Sequence, residues 1–593
     1  MSELVQQLVE NTKDVSLAPF GPEIAICVTI VVMLLARLFD GLRWLSPWIL
    51  ALVGSVVALA LAAAPGLQNP PTERVEIFTG LLVYDTFSIY IRSFLLLFAV
   101  LFVIFTRLSG IPRGGDGTDF YSLFLGSTLG MCLMASANHM LSVFLAVEMA
   151  SVPSYVLAGL LRRQQSSEAA LKYAVYGAGA AGVMVYGISL VSGITHSAHI
   201  PTMAAQLAQM IDSGEIVFHS GESMVLGLGA LMIMVGLAFK LSAVPFHFWA
   251  PDVFEGAAAE VGAFLSIASK GAALALLVRV ALGFSLVQPT YFEKPIAVSP
   301  GDATANAAPA SAELANAGLM NVADEEVASP ANKENAEEAK SGPYNHDRAM
   351  DALSHVRTFM ALLIGVLAAV TCTFGNLAAY AQTNIKRLLA YSTIAHAGYM
   401  MMAVPPAILL VNLDSDAGKS AIGALLLYLA IYLFMNLGAF AIVAFLRNQL
   451  GSEEIEDYGG LVRQCPGIVV CTAIVLFSLV GLPPLAGFIG KFAIFASLVD
   501  GYRATAAGGT AATFLMVLLV IGGINTAISL FYYLRVVKVM AIDPEPENRG
   551  PVNLPLVSLS GAFVALISAP ILLLIITWDK INEVARAAAE QLM

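Results

Sequence analysis

From about residue 22 onward the chain alternates long apolar runs with short polar joints. The runs are roughly 18 to 25 residues long, the length at which a helix crosses about 30 Å of hydrocarbon. Helical spans are predicted at about 22–39, 46–64, 85–105, 121–136, 138–160, 170–194, 223–255, 258–283, 354–376, 386–404, 420–446, 466–500, 511–536 and 555–577. Backbone of this length satisfies its own hydrogen bonds in lipid only as helix, so the pattern predicts an all-α polytopic membrane protein of about 14 spans.

Two spans, 223–255 and 466–500, exceed one straight crossing. The first contains Pro245 and the second the pair Pro483–Pro484, which remove backbone donors and break helices. Both are therefore predicted to be discontinuous. They lie in two groups of about five spans, 121–283 and 354–536, the spacing an internal duplication leaves, and transporters place sites at such breaks. A three-helix segment, 1–120, precedes the repeats and a C-terminal helix, 537–593, follows them. Between them the hydropathy collapses over 284–353 into an Ala-, Pro-, Asn- and Glu-rich acidic insertion, expected on the outer face, whose composition cannot bury a core.

Charge sharpens the picture. Only 12% of the 593 residues are charged and 58% are hydrophobic, far from the soluble norm of about 25% charge. The net charge of −12 argues against nucleic acid or a polybasic lipid-surface binder as the purpose of the chain. The five cysteines show no cluster or zinc spacing. The first apolar stretch begins near Gly21 after a polar start, so no cleavable signal sequence is expected. Arg37 and Arg43, Arg107 and Arg113, Arg162 and Arg163, and Lys386 and Arg387 fall in alternate short loops. The intervening loops are poor in basic residues or acidic, as at Asp212, Glu215 and Glu222. By the positive-inside rule the chain sits among the lipids of a bacterial inner membrane with both termini periplasmic.

Five ionisable residues fall well inside spans: Glu148, Lys240, His247, Lys270 and Lys491. A mid-helix lysine or carboxylate costs about 2.5–3.5 kcal/mol on insertion scales, so these groups must face protein or water. Two readings compete. A buried ion pair could lock helices together, but the lysines outnumber Glu148 and such a pair often stabilises no better than apolar packing. A file of lysines with one carboxylate suits proton transfer, because two unit charges about 6 Å apart at an effective dielectric of 20 interact by roughly 2.8 kcal/mol, enough to load or unload a neighbour's proton. The breaks support the second reading, since backbone groups freed near Pro245, with Ser242 and His247, and near Pro483 and Pro484, with Gly481, Gly487 and Gly490, recruit water. His247 and His396 are either relays or satisfied core histidines. Lys172, four residues after Glu168, is either a relay or half of a surface ion pair. Asp85 reads as a helix cap, and Asn436 and Asn525 as interhelical hydrogen-bonders.

The runs KLSAVPFHFWAPDVFEGA (240–257), AFLSIASKGAA (263–273), NIKRLLAYSTIAHAGYM (384–400) and GLPPLAGFIGKF (481–492) resemble the antiporter-like membrane subunits of proton-pumping NADH-quinone oxidoreductase, respiratory complex I. Within them the match is to the subunit N group: the APDVFEG run is typical of it, Lys491 stands where subunit M typically has glutamate, and the long lateral helix of subunit L is missing. The resemblance covers nearly all of 20–577 except the insertion. It implies a translocase subunit without redox chemistry of its own, moving protons through Glu148, Lys240, Lys270 and Lys491, with His396 and Lys172 at relay positions. It also implies that the chain carries no cofactor, with NADH, FMN, iron-sulfur clusters and quinone in partner subunits. The implied neighbours are the antiporter-like subunit M and the small subunits K, J and A. The family usually continues EGAPTPVTAF where this chain has EGAAAEVGAF, which adds Glu260 at the basic-loop end of the eighth span. The same lysines and breaks would also suit a subunit of a multisubunit cation/proton antiporter, and a membrane spacer whose charges only lock helices is the third possibility.

Overall fold

The computed structural model describes residues 9, 11–39, 45–68, 71–112, 114–217, 220–289, 344–505, 509–547 and 549–593. Arg43, Arg113 and most of the acidic insertion lie outside them. The apolar runs form the helices α1 (Gly21–Leu38), α2 (Pro47–Gln68), α3 (Thr86–Ser109), α4 (Gly117–Ser136), α5 (Met140–Ala158) and α6 (Gln164–Ile194). A short amphipathic α7 (Ile200–Asp212) precedes a broken pair, α8 (Gly221–Leu241) and α9 (Trp249–Gly256), and then α10 (Ala259–Gly283). After the insertion come α11 (His346–Ala352), α12 (Ser354–Ala379), α13 (Ile385–Met401), α14 (Val404–Leu410) and α15 (Ser415–Leu450). A second broken pair, α16 (Pro466–Val480) and α17 (Ala486–Ala504), leads to α18 (Thr510–Ala541) and α19 (Leu559–Ala589).

Among the described residues twelve helical stretches are long and apolar enough to cross a membrane. The expectation of about 14 spans goes beyond that count. The difference lies in α4, which is diluted by glycine, serine and threonine, in α16, which the break shortens to 15 residues, and in α17, which carries Lys491, Asp500 and Arg503. One departure from an all-helical chain occurs outside the spans, where Val75–Ile77 and Leu82–Tyr84 pair as an antiparallel hairpin. Its turn places Phe78, Thr79 and Gly80 at positive φ.

Side-chain contacts sort the helix ends into two faces. On one, Arg37 at the end of α1 meets Asp119 at the start of α4 at 2.5 Å, Arg162 meets Asp116 at 3.0 Å, and Asn448 at the end of α15 donates to Ser109 O at 2.8 Å. This is the basic-loop face. On the opposite face, Phe78 N donates to Ser16 Oγ at 3.0 Å and Thr86 N to Gln591 Oε1 at 2.9 Å, so the described residues nearest both chain ends gather around the hairpin. It follows that α8 enters its break from the hairpin face and α16 from the basic-loop face; the two broken helices run in opposite directions. The described ends of the insertion also meet near the hairpin face, where Val287 O lies 3.0 Å from His346 Nε2 and Arg348 pairs with Asp212 at 2.6 Å.

The core is built around α10, whose apolar window is buried on every side. Small residues allow the close approach: a side-chain carbon at Gly262 would sit 2.8 Å from the Phe440 ring, and one at Gly271 2.7 Å from that of Phe94. Near the hairpin end of α10, Arg279 makes two hydrogen bonds of 2.6 Å to Asp85 and a third of 2.8 Å to Ala135 O. Asp85 also caps α3, its carboxylate accepting from Ser88 N at 2.7 Å. The cap was legible in the chain; the Arg279 partner was not.

Two predictions follow from this face. Arg279→Met strands a buried carboxylate and should cost about 3–5 kcal/mol, whereas Asp85→Ser with Arg279→Met keeps the cap, removes both charges and should recover most of the loss; thermal unfolding of the purified assembly measures both. In the hairpin, burial pushes the Glu76 carboxyl up, but the hydrogen bond and charge of His199, with Asn138 and Arg74, outweigh it and hold the group below its ordinary value. A depressed carboxyl adds stability above its unfolded pKa and loses it as pH falls through its folded one, so hydrogen exchange of residues 75–84 should quicken below about pH 4 relative to its intrinsic rate, a step that Glu76→Gln removes.

Candidate functional site

The site begins where α8 stops. Ser242 takes a left-handed backbone, φ 56°, and closes the helix, leaving the last carbonyls of α8 inside the protein. Lys240 stands in that last turn, 2% exposed, and donates to Ser151 Oγ at 3.0 Å. Ser151 lies one turn after Glu148 on α5 and in turn donates to Val147 O at 2.6 Å. Glu148 is half-buried and, among the described residues, forms no ion pair with Lys240, whose ammonium is bonded by Ser151 one turn along α5.

Lys270, midway along α10, donates to Leu241 O at 2.9 Å. An ammonium there meets the negative end of a helix dipole as well as a free carbonyl. The rest of the break is held by Val244 N donating to Thr371 Oγ1 at 2.9 Å and by Trp249 Nε1 donating back to Phe239 O at 3.1 Å, with Trp249 stacked on Tyr173 at 4.1 Å. Pro245 is exposed at the outer edge of the turn. His247 lies beside it with its ring 4.4 Å from that of Phe374, and its Nδ1 is buried without a hydrogen-bond partner.

The second break repeats the arrangement. The helix α16 closes at Gly481, φ 87°, and Lys491 of α17 reaches back to donate to Val480 O at 2.8 Å. The same ammonium lies 4.3 Å above the Tyr399 ring, a cation–π contact that compensates part of its lost hydration. Pro483 and Pro484 are exposed at the turn, as Pro245 is at the first.

Between the breaks sits His396 on α13, 1% exposed. Its Nδ1 is 2.6 Å from the Tyr428 hydroxyl and its Nε2 3.2 Å from that of Tyr533, which also bonds Ser392. The charges of both Lys491 and Lys270 reach this ring. Beyond it, Asn376 links Tyr399, Tyr532 and Asn525, and Asn525 bridges α18 to Thr373 at 2.9 Å. Lys240, Lys270, His396 and Lys491 are thus all buried, each bonded to a neutral polar group.

Three other residues behave differently. Lys172 stands apart, half-exposed on the basic-loop face, where it pairs with Glu168 and Asp252 at 2.8 Å each while Arg387 binds Asp252 and Glu255. Asn436 was read as an interhelical hydrogen-bonder, yet among the described residues neither of its buried side-chain polar atoms has a partner within hydrogen-bond distance. Glu260 is 0% exposed and pairs with Arg447 at 3.3 Å.

Sequence reasoning missed Ser151, Tyr399, Tyr428 and Tyr533, which act through hydroxyls or a ring and carry no charge to stand out. It also missed Arg92, which pairs with Glu23 at 3.2 Å, and Arg279, charges within predicted apolar runs that the same cost argument should have singled out. Among the described residues no group of three or more metal-ligating side chains occurs.

These features define the class: a membrane-embedded, antiporter-like helical subunit with an ammonium bound at the cut end of each of two broken helices. The family described as NADH:quinone oxidoreductase/Mrp antiporter, transmembrane, matches residues 137–297 and 338–521, stepping over the insertion. NADH-quinone oxidoreductase subunit N of Anaeromyxobacter sp. (strain Fw109-5) is 34% identical over 542 residues, 90% of this chain and 89% of that one. A chain of respiratory complex I from Thermus thermophilus, solved with bound aureothin, superposes with a TM-score of 0.64 at 28% identity, covering 95% of this chain and 98% of that one. A chain of the Mrp complex from Dietzia sp. DQ12-45-1b shares the fold at 15% identity, with a TM-score of 0.71 and 97% of each chain covered. The chain belongs to the NADH:quinone oxidoreductase/Mrp antiporter membrane family, and within it to the relatives named subunit N.

The second break offers a direct test of the geometry. Gly481→Ala puts a side chain on a left-handed residue and brings its Cβ 3.0 Å from Lys491 Cδ. It should destabilise the helix end by about 1–2 kcal/mol and displace Lys491 from Val480 O, seen as a lower melting temperature of the assembly together with slower proton translocation.

Proposed function

We propose that this chain is a proton-translocating membrane subunit of an NADH-quinone oxidoreductase, moving protons through a buried relay of Glu148, Lys240, Lys270, His396 and Lys491 while quinone is reduced elsewhere in the complex. The observation that carries the reading is the repeated binding of a lysine ammonium to the last carbonyl of a broken helix, Lys270 at Leu241 and Lys491 at Val480. A lysine held only by a neutral carbonyl, with no carboxylate in contact, can give up its proton without leaving a second buried charge unpaired. Ser151, bonded to Lys240 and one turn from Glu148, is placed to pass or block a proton between them according to its rotamer. His396, with an oxygen on each ring nitrogen, suits the connection between the two lysine sites. His247, whose Nδ1 lacks a protein partner, is the residue we assign to water at the first break. Lys172 and its acidic neighbours suit collection of protons at the surface better than transfer within the membrane.

The subunit acts as a translocase without redox chemistry of its own. NADH, FMN, iron-sulfur clusters and quinone belong to partner subunits. Its neighbours are the antiporter-like subunit M and the small subunits K, J and A, in a bacterial inner membrane with the hairpin face and both termini periplasmic.

The test is Lys240→Ala in the whole complex, reconstituted in vesicles. Proton translocation should fall several-fold while assembly and NADH oxidation with a water-soluble acceptor persist. Unchanged translocation per assembled complex, with poorer assembly, would show that the buried charges only lock helices. Sodium-dependent proton flux in the absence of NADH would instead favour the cation/proton antiporter.

A further inference from the structure

On the basic-loop face a pocket of ≈ 270 Å³ is lined by Arg162, Arg163, Glu255, Lys386, Arg447 and Glu453. Three of its lining cations are paired, the first being Arg162 with Asp116 at 3.0 Å. Lys386, its side chain 3% exposed, binds Glu453 at 2.7 Å and donates to Ala257 O at 2.8 Å. Arg447 turns inward to Glu260 Oε1 at 3.3 Å. Glu260 is fully buried at the first turn of α10, and its Oε2 has no hydrogen-bond partner among the described residues.

A carboxylate kept only to hold Arg447 would be expected to satisfy or expose its second oxygen, because a buried polar atom without a partner is costly. The charged groups tied to Glu260 from neighbouring elements are Arg447 of α15 and Lys386 of α13, both of which line the pocket. Only Arg447 bonds it. The Tyr458 hydroxyl is also buried and unpartnered, within reach of the charges of Glu453 and Arg447.

Deeper in, unpartnered polar atoms continue. About three turns from Arg447 along α15 is Asn436, and one turn further is Tyr432. Both polar atoms of the Asn436 side chain and the Tyr432 hydroxyl lack partners. The Tyr432 ring is 5.3 Å from that of His396. Buried polar groups in series without protein partners are those that internal water serves.

We infer that Glu260 is the proton-collecting carboxylate of the basic-loop face, taking protons from water in the pocket and passing them inward past Asn436 and Tyr432 to His396. This rests on the proton-translocating reading above. A hydronium in the pocket gives its proton to Oε2 and remains as water. The neutral acid returns to carboxylate when that proton moves to a water or hydroxyl held by the inner groups. No oxidant or reductant takes part. Arg447 positions the carboxylate through Oε1 and leaves Oε2 free to cycle.

The experiment compares Glu260→Gln, Glu260→Asp and Asn436→Leu in the reconstituted complex, with Lys240→Ala as reference. Translocation in Glu260→Gln should fall several-fold, the deficit widening as pH on the collecting side rises and hydronium becomes scarce; Glu260→Asp should restore most of it, and Asn436→Leu should reproduce it. Full, pH-independent translocation per assembled complex in Glu260→Gln overturns the inference. Should that variant fail to assemble, normal translocation in Asn436→Leu overturns it instead. Silence in these variants with a deficit in Lys240→Ala refutes the collecting role alone, whereas silence in Lys240→Ala as well refutes the translocating reading beneath it.

Discussion

The arrangement of the molecule depends on one constraint: α10 is buried on every side and yet carries three charges, Glu260, Lys270 and Arg279. All three are buried, so each has to be met by another element of the protein. Arg447 of α15 meets the first, the cut end of α8 meets the second, and Asp85 at the cap of α3 meets the third. The break in α8 is therefore not an isolated defect. An unbroken helix would keep Leu241 O in its own hydrogen bond, and Lys270 would have no acceptor there.

The two breaks solve the same problem from opposite faces. In each, a left-handed residue ends the first half, a lysine from farther along the chain binds its last carbonyl, and proline occupies the exposed edge of the turn. The helix dipole adds to the carbonyl at both places, so a positive charge is favoured at mid-membrane without a permanent carboxylate partner. The contrast with Arg279 and Asp85 is instructive. There the charges are joined by two short bonds and serve the frame, whereas Lys240, Lys270 and Lys491 each donate to a neutral acceptor, the arrangement the proposed relay needs.

Most of the spans, both breaks and the lysines set inside apolar runs were legible in the chain because membrane insertion is a local cost. A lysine within an apolar run stands out wherever its partner may be, and proline breaks a helix without reference to the rest of the fold. Glu148, the one carboxylate read together with the buried lysines, shows the limit of that logic. Opposite charge was the only available guide to pairing, and the structure puts the Ser151 hydroxyl at the contact. Lys172 was open between surface and relay, and only the approach of α9, bringing Asp252, places it in a surface ion-pair group.

What the sequence determined by itself was the inventory: which segments enter the membrane, where helices must break, and which charges are too costly to lie there without purpose. These follow from composition and spacing within about 20 residues. The tertiary structure alone decided which groups meet. Arg279 finds Asp85 across 194 residues, Arg447 finds Glu260 across 187, and His396 acquires Tyr533 from 137 residues away. The physical reason is that insertion is governed by local hydropathy, whereas pairing of buried polar groups depends on helix packing, set jointly by small residues such as Gly262 and Gly271 and by every neighbour that surrounds α10.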